Sequence, residues 1–132
     1  MGSITRSFDQ ENNLTLFTVV GEADAHEILT SVLAFLRESP TQQVLWDIRG
    51  GQLTTLSTND LKMIVDHAGP FTDVRAGGQT AIVVAREVDF GLCRMFQAFA
   101  EMAELPFALL VARDIDEAGR WLGSGGLTNA TS

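Results

Sequence analysis

The sequence is poor in cysteine, histidine, proline and positive charge. Cys93 is the single cysteine in 132 residues, so no disulfide can close within the chain and no CxxC redox or metal motif exists. The two histidines, His26 and His67, lie far apart, and neither has a second metal ligand at helical spacing, so they predict no zinc site and no cofactor. Lys and Arg total 9 against 17 Asp and Glu, giving a net charge of −8 and a pI near 4.5. Such a surface repels phosphate backbones and anionic lipid, which argues against nucleic-acid binding and membrane attachment. No apolar run approaches the ~20 residues a bilayer span needs, and no secretory signal pattern opens the chain. Met1-Gly2 begins like a myristoylation site, but Arg6 stands where that motif needs Ser or Thr. These absences predict a soluble cytoplasmic protein.

What is present is ordinary globular composition, 45% hydrophobic and 20% charged. The length suits one domain able to bury a core without metals or disulfides. The most informative stretch is Val44–Asp60, VLWDIRGGQLTTLSTND. A continuous apolar run, Val44-Leu45-Trp46, reads as a strand covered on both faces. The strand is expected to turn out of the sheet at Arg49-Gly50-Gly51, and a helix then enters through Ser57, with Asp60 three residues on as a capping box. The rest of the chain repeats this grammar. Ile4–Phe8 and Leu14–Val20 read as an edge hairpin closed by Asn12-Asn13. Asp24 and Glu27 open a helix with Ile28, Leu29, Val32, Phe35 and Leu36 as its stripe, and Ser39-Pro40 stops it. Gly69-Pro70 breaks the second helix, and Gly77-Gly78 reads, like Gly50-Gly51, as a turn needing positive φ. Thr80–Ala85 and Phe107–Ala112 are further buried strands, with a helix from about Asp89 to Met102 between them and Leu105-Pro106 ending it. Asp114 and Glu117 form a third expected box, before Ala118, Trp121 and Leu122.

The order is therefore ββαβαβαβα. It predicts a single α/β domain over residues 1–123, with a mixed, mostly parallel five-stranded sheet flanked by about four helices. Residues 124–132 read as a flexible tail. The sequon at Asn129 within it carries no meaning for a cytosolic chain.

Candidate sites are few. Arg49, Arg86 and Arg113 each directly follow a parallel strand and so emerge at its carboxyl edge, where open α/β sheets bind ligands. They could hold a phosphate or carboxylate, or be neutralised by Glu22, Asp47, Glu87, Asp89 and Asp114 nearby. Ser57 reads first as a helix N-cap and second as a phosphorylation site. Met95 and Met102, seven apart on the long helix, share one edge and suit a homodimer face, a partner groove or the wall of an apolar ligand pocket. Cys93, in an apolar helix without a base beside it, reads as a small core residue. No nucleophile–base pair or metal set is visible, so no enzyme is expected.

Two stretches carry a family resemblance: LWDIRG at Leu45–Gly50 followed by LSTNDL at Leu56–Leu61, and FGLCRMFQAFAE at Phe90–Glu101. With the order ββαβαβαβα they resemble the SpoIIAA-like (STAS/Sec14-like) small bacterial proteins, over roughly Leu14 to Leu122. The resemblance implies a STAS-like fold and a regulatory, protein-interaction module akin to anti-sigma-factor antagonists. Its Sec14-like side implies the alternative, a binder or sensor of a small acidic or lipid-like ligand. It also implies a phosphorylated serine at the start of the helix after the organising strand, which is Ser57 here, preceded by Leu56 where those proteins carry Asp.

Overall fold

A computed structural model describes residues 2–124. The tail expected over 124–132 lies outside the described residues, apart from Ser124 at the end of the last helix. Five strands, β1 (Ser3–Asp9), β2 (Leu14–Glu22), β3 (Gln43–Gln52), β4 (Gln79–Val83) and β5 (Ala108–Ala112), form one sheet in the order β1-β2-β3-β4-β5. β1 runs antiparallel to β2, and the remaining neighbours are parallel. Helices α1 (Ala25–Glu38), α2 (Thr58–Ala68) and α3 (Glu87–Met102) connect the parallel strands, and α4 (Ile115–Ser124) follows β5. A 3₁₀ segment, Gly69–Arg75, continues from α2.

The strand order explains the layering. Each parallel connection steps one strand in the same direction, and right-handed crossovers then deliver α1, α2 and α3 to one face. There they cover Phe17, Val19, Val44, Ile48, Ile82 and Val84. Among the described residues, the opposite face of the same strands is covered by α4, whose Ala118 and Leu122 pack on Leu45, Ala81 and Val83. Phe17 anchors the larger layer, stacked on Trp46 at 4.2 Å between ring centroids and edge-on to Phe35 at 5.5 Å.

Local chemistry sets the helix starts. Asp24 accepts from the Glu27 amide at 2.8 Å while Glu27 accepts from the Asp24 amide at 3.0 Å. Ser57 and Asp60 make the same reciprocal pair at 3.1 and 2.9 Å. The third expected box differs: Asp114 accepts from the Asp116 amide at 2.9 Å, one residue short of Glu117. α3 begins at Glu87, earlier than expected, because Glu87 and Asp89 suit the positive end of the helix.

The expected turn at Gly50-Gly51 is corrected. β3 runs straight through both glycines to Gln52, pairing Gly50 with Val20 and Gly51 with Gly21 beyond a bulge in the β2–β3 register. Neither glycine has positive φ. Gly51 is small because the neighbouring strand is close: a Cβ there would lie 2.7 Å from Val19 Cγ1 and 2.9 Å from the Val19 carbonyl. Gly77 does turn through positive φ, at +84°.

Candidate functional site

The apolar stripes of α1, α2 and α3 do not meet the sheet completely. Between them lies a hollow of about 130 Å³, running from Leu53 and Cys93 near the carboxyl ends of the strands to Arg75, Thr80 and Phe107 near their amino ends. Its walls are almost wholly hydrocarbon, including Phe17, Phe35, Trp46, Ile64 and Phe96.

Arg75 is the charged residue among the lining residues, beside the hydroxyls of Thr72 and Thr80. It ends the 3₁₀ segment and is 4% exposed. Its Nε donates to the Thr41 carbonyl at 2.9 Å and Nη1 to Thr80 Oγ1 at 2.8 Å. Nη2 donates to the carbonyls of Gln42 and Gln79 at 2.9 and 3.0 Å. Phe107 flanks the guanidinium with its ring centroid 4.6 Å away. Burial lowers its pKa to about 10, so it remains a cation at neutral pH. No carboxylate pairs with it among the described residues. In the sequence Arg75 stands just before the Gly77-Gly78 turn and carries no motif. Its acceptors are chiefly backbone carbonyls, some more than thirty residues away, and these leave no side-chain pattern to find.

The strand-end arginines lie at the other end of the sheet. Arg49 makes a two-pronged bond to Asp47, which holds the carboxyl below and the guanidinium above their ordinary values. Arg113 makes another to Glu87, with Nη2 at 2.8 Å, and lies over the Phe90 ring with Cζ 3.7 Å from its centroid. That pairing holds Glu87 below and Arg113 above their usual values. Arg86 stands exposed at the N-cap of α3, and no hydrogen bond or ion pair engages its side chain among the described residues. The three arginines are thus not joined around one vacant hollow by any shared contact; two are committed to carboxylates.

Ser57 is exposed at the start of α2, with its hydroxyl occupied as a cap. Met102 is 79% exposed and Met95 39%, and the Thr58 hydroxyl donates to the Met95 sulfur at 3.6 Å. Cys93 is buried in the wall of the hollow, and burial, with the Asp89 charge adding to it, pushes its thiol up to about 12. Asp89 is fully buried; one oxygen accepts from the Leu53 amide at 3.0 Å, and the other has no partner among the described residues. His26 and His67 are exposed on separate helices, and His67 Nδ1 lies 2.9 Å from the Met63 carbonyl. Among the described residues no cluster of three or more His, Cys, Asp or Glu could hold a metal, and no helix is long and apolar enough to cross a membrane.

This architecture is an α/β module with the SpoIIAA-like fold. Among solved structures, it is similar to an uncharacterized DUF3478-family protein with a SpoIIAA-like fold from Shewanella loihica PV-4. The TM-score is 0.53 and the identity 22%, over 92% of this chain and 93% of that one. No family model and no curated protein matches the chain.

Proposed function

We propose that the chain is a non-enzymatic binding module that takes a small, largely apolar ligand into the hollow between the sheet and helices α1–α3. The hollow carries this reading. Protein interiors pack to a density of about 0.75 with few voids larger than a water. A hollow near 130 Å³ leaves its lining side chains without the dispersion contacts a filled core would give them. A comparable apolar cavity, about 150 Å³, binds benzene. A ligand that restores the missing contacts therefore binds and stabilises the native chain together.

Benzene is the test probe. The melting temperature of the wild type is expected to rise with benzene concentration, and Ile64→Phe, which puts a ring into the same space, is expected to remove that rise. A wild-type melt indifferent to benzene rejects the reading.

A second reading has its own support. Met95 and Met102 leave an apolar, sulfur-rich edge of α3 in solvent, which suits a protein partner or a second copy of the chain, as a STAS-like regulatory module would need. On this reading Ser57, exposed at a helix start, is the switch, and the module works in the cytoplasm. Sedimentation tests the self-association: a monomer across micromolar concentrations refutes the dimer.

A further inference from the structure

The hollow is not electrically neutral. A guanidinium has five N–H donors, and Arg75 places four of them on Thr41, Gln42, Gln79 and Thr80. Every one of those acceptors is uncharged. They explain why Arg75 sits where it does, tying the 3₁₀ segment to the amino ends of β3 and β4, but they leave its charge uncompensated. The rings of Phe107 and Phe35, centred 4.6 and 5.9 Å from Cζ, contribute only quadrupole attraction. A buried cation without a counter-charge is among the costliest arrangements in a folded chain.

Two donors remain. One Nη1 hydrogen of Arg75 is unused, and Thr80 Oγ1, which accepts from Nη1, keeps its own hydroxyl hydrogen with no acceptor among the described residues. Both residues line the hollow and both are buried, Arg75 at 4% and Thr80 at 6% exposure. We infer that the hollow is specific for a compact monocarboxylate, its carboxylate on Arg75 and Thr80 at the amino ends of the strands and its hydrocarbon body against Phe17, Ile64 and Phe96. This rests on the hollow being a ligand site, and it adds the charge and the orientation of the ligand.

The donor inventory selects the head group. A carboxylate brings one negative charge to balance one cation, and two donors serve it. A phosphate brings close to two charges and three oxygens that this wall cannot satisfy. An alcohol or a hydrocarbon leaves Arg75 as it was. The size of the hollow limits the body to roughly that of benzene or a short alkyl chain. The chain's net charge of −8 opposes non-specific uptake of anions, so binding of one reports the site.

Hexanoate and 1-hexanol, matched in length, test this by calorimetric titration. Hexanoate is expected to bind at least about tenfold tighter than the alcohol, in keeping with a charge-assisted hydrogen bond. Arg75→Gln removes the charge, but it also removes carbonyl contacts and can unfold the chain. Thr80→Val keeps the shape and removes the hydroxyl that is left to donate to the ligand, while also releasing Arg75 Nη1; it is expected to weaken hexanoate severalfold and hexanol by less. On the wild type alone, carboxyl-labelled hexanoate followed by NMR is expected to titrate about one unit or more below its free value when bound beside a cation. Equal or tighter binding of hexanol, or an unshifted bound carboxyl, overturns the inference while leaving the hollow as an apolar site. Failure of hexanoate, hexanol and benzene together overturns the ligand reading itself.

Discussion

Asp47 and Arg49 stand two residues apart on β3 and close a two-pronged ion pair, Nε at 2.9 Å from one carboxylate oxygen and Nη2 at 2.8 Å from the other. Arg113 and Glu87 repeat the arrangement between β5 and α3. At the carboxyl edge of this sheet, two of the three strand-end arginines are thus answered by carboxylates of the chain itself, and the third, Arg86, is exposed to solvent, whereas at the amino edge Arg75 is buried without one.

Arg49→Gln is accordingly expected to cost no more than about 1 kcal/mol, as a half-exposed pair does. Melts of the wild type in phosphate and in chloride at equal ionic strength are expected to coincide. A phosphate-specific rise, lost in Arg49→Gln combined with Arg86→Gln, would instead establish an anion site at this edge.

Ser57→Ala removes the side-chain oxygen that caps α2 and is expected to cost about 0.5–2 kcal/mol. Ser57→Asp keeps an acceptor at the cap and places a negative charge at a helix N-terminus, so its stability should stay near that of the wild type. Urea titration of the three proteins decides. If Ser57→Ala matches the wild type, the cap contributes nothing and only a signalling role remains for this serine.

The thiol of Cys93 makes stability depend on alkaline pH. Its ordinary pKa is 9.0 and its folded value about 12. Between those values the unfolded chain releases the thiol proton while the native chain keeps it, so stability falls as pH rises. Arg75 acts with the opposite sign. Burial lowers it from 12.5 to about 10, so its unfavourable buried charge is relieved in the native state as pH climbs from about 10 towards 12.5. From about pH 9 to 10 the Cys93 effect leads, with a loss approaching about 1 kcal/mol that the onset of Arg75 deprotonation offsets in part. Cys93→Ala is expected to flatten the fall in melting temperature over that interval. Parallel slopes for the two proteins would sink the argument.

Two glycines should respond oppositely to alanine. Gly91 lies within α3 with nothing near the position of an added Cβ, so Gly91→Ala is expected to stabilise by about 0.5–1 kcal/mol through helix propensity. Gly51→Ala would drive a methyl into the Val19 side chain and carbonyl and is expected to destabilise by about 1–3 kcal/mol. Thermal melts that rank the pair the other way would contradict the strand assignment of Gly50-Gly51.

Local signals were legible. Asp24 with Glu27 and Ser57 with Asp60 announce helix starts because capping joins residues three apart, and the apolar runs of β3 and β4 announce strands covered on both faces. Gly51 misled because a glycine demanded by a neighbouring backbone looks in sequence like one demanded by a turn. An apolar pocket at the long helix was one alternative among three, and nothing in the sequence selected it: Ile64, Phe96 and Phe17 show the same periodicity whether their facing surfaces touch or stand apart. Arg75 stayed hidden because Thr41 and Gln42 offer it carbonyls, which every residue possesses.

The unbroken strand order has a kinetic meaning. Each unit laid down from α1 to β5 docks on an edge already formed, so long loops need not close before contacts reward them. The exception is α4, among the described residues the only helix on its face, whose Ala118 and Leu122 cover Leu45, Ala81 and Val83. During synthesis from the N-terminus, those apolar side chains stay bare until the last turns of α4 have emerged. Leu45 on β3 is thus made well before the helix that covers it, and the stretch of synthesis between the two is where a chaperone or a premature second copy would meet that face.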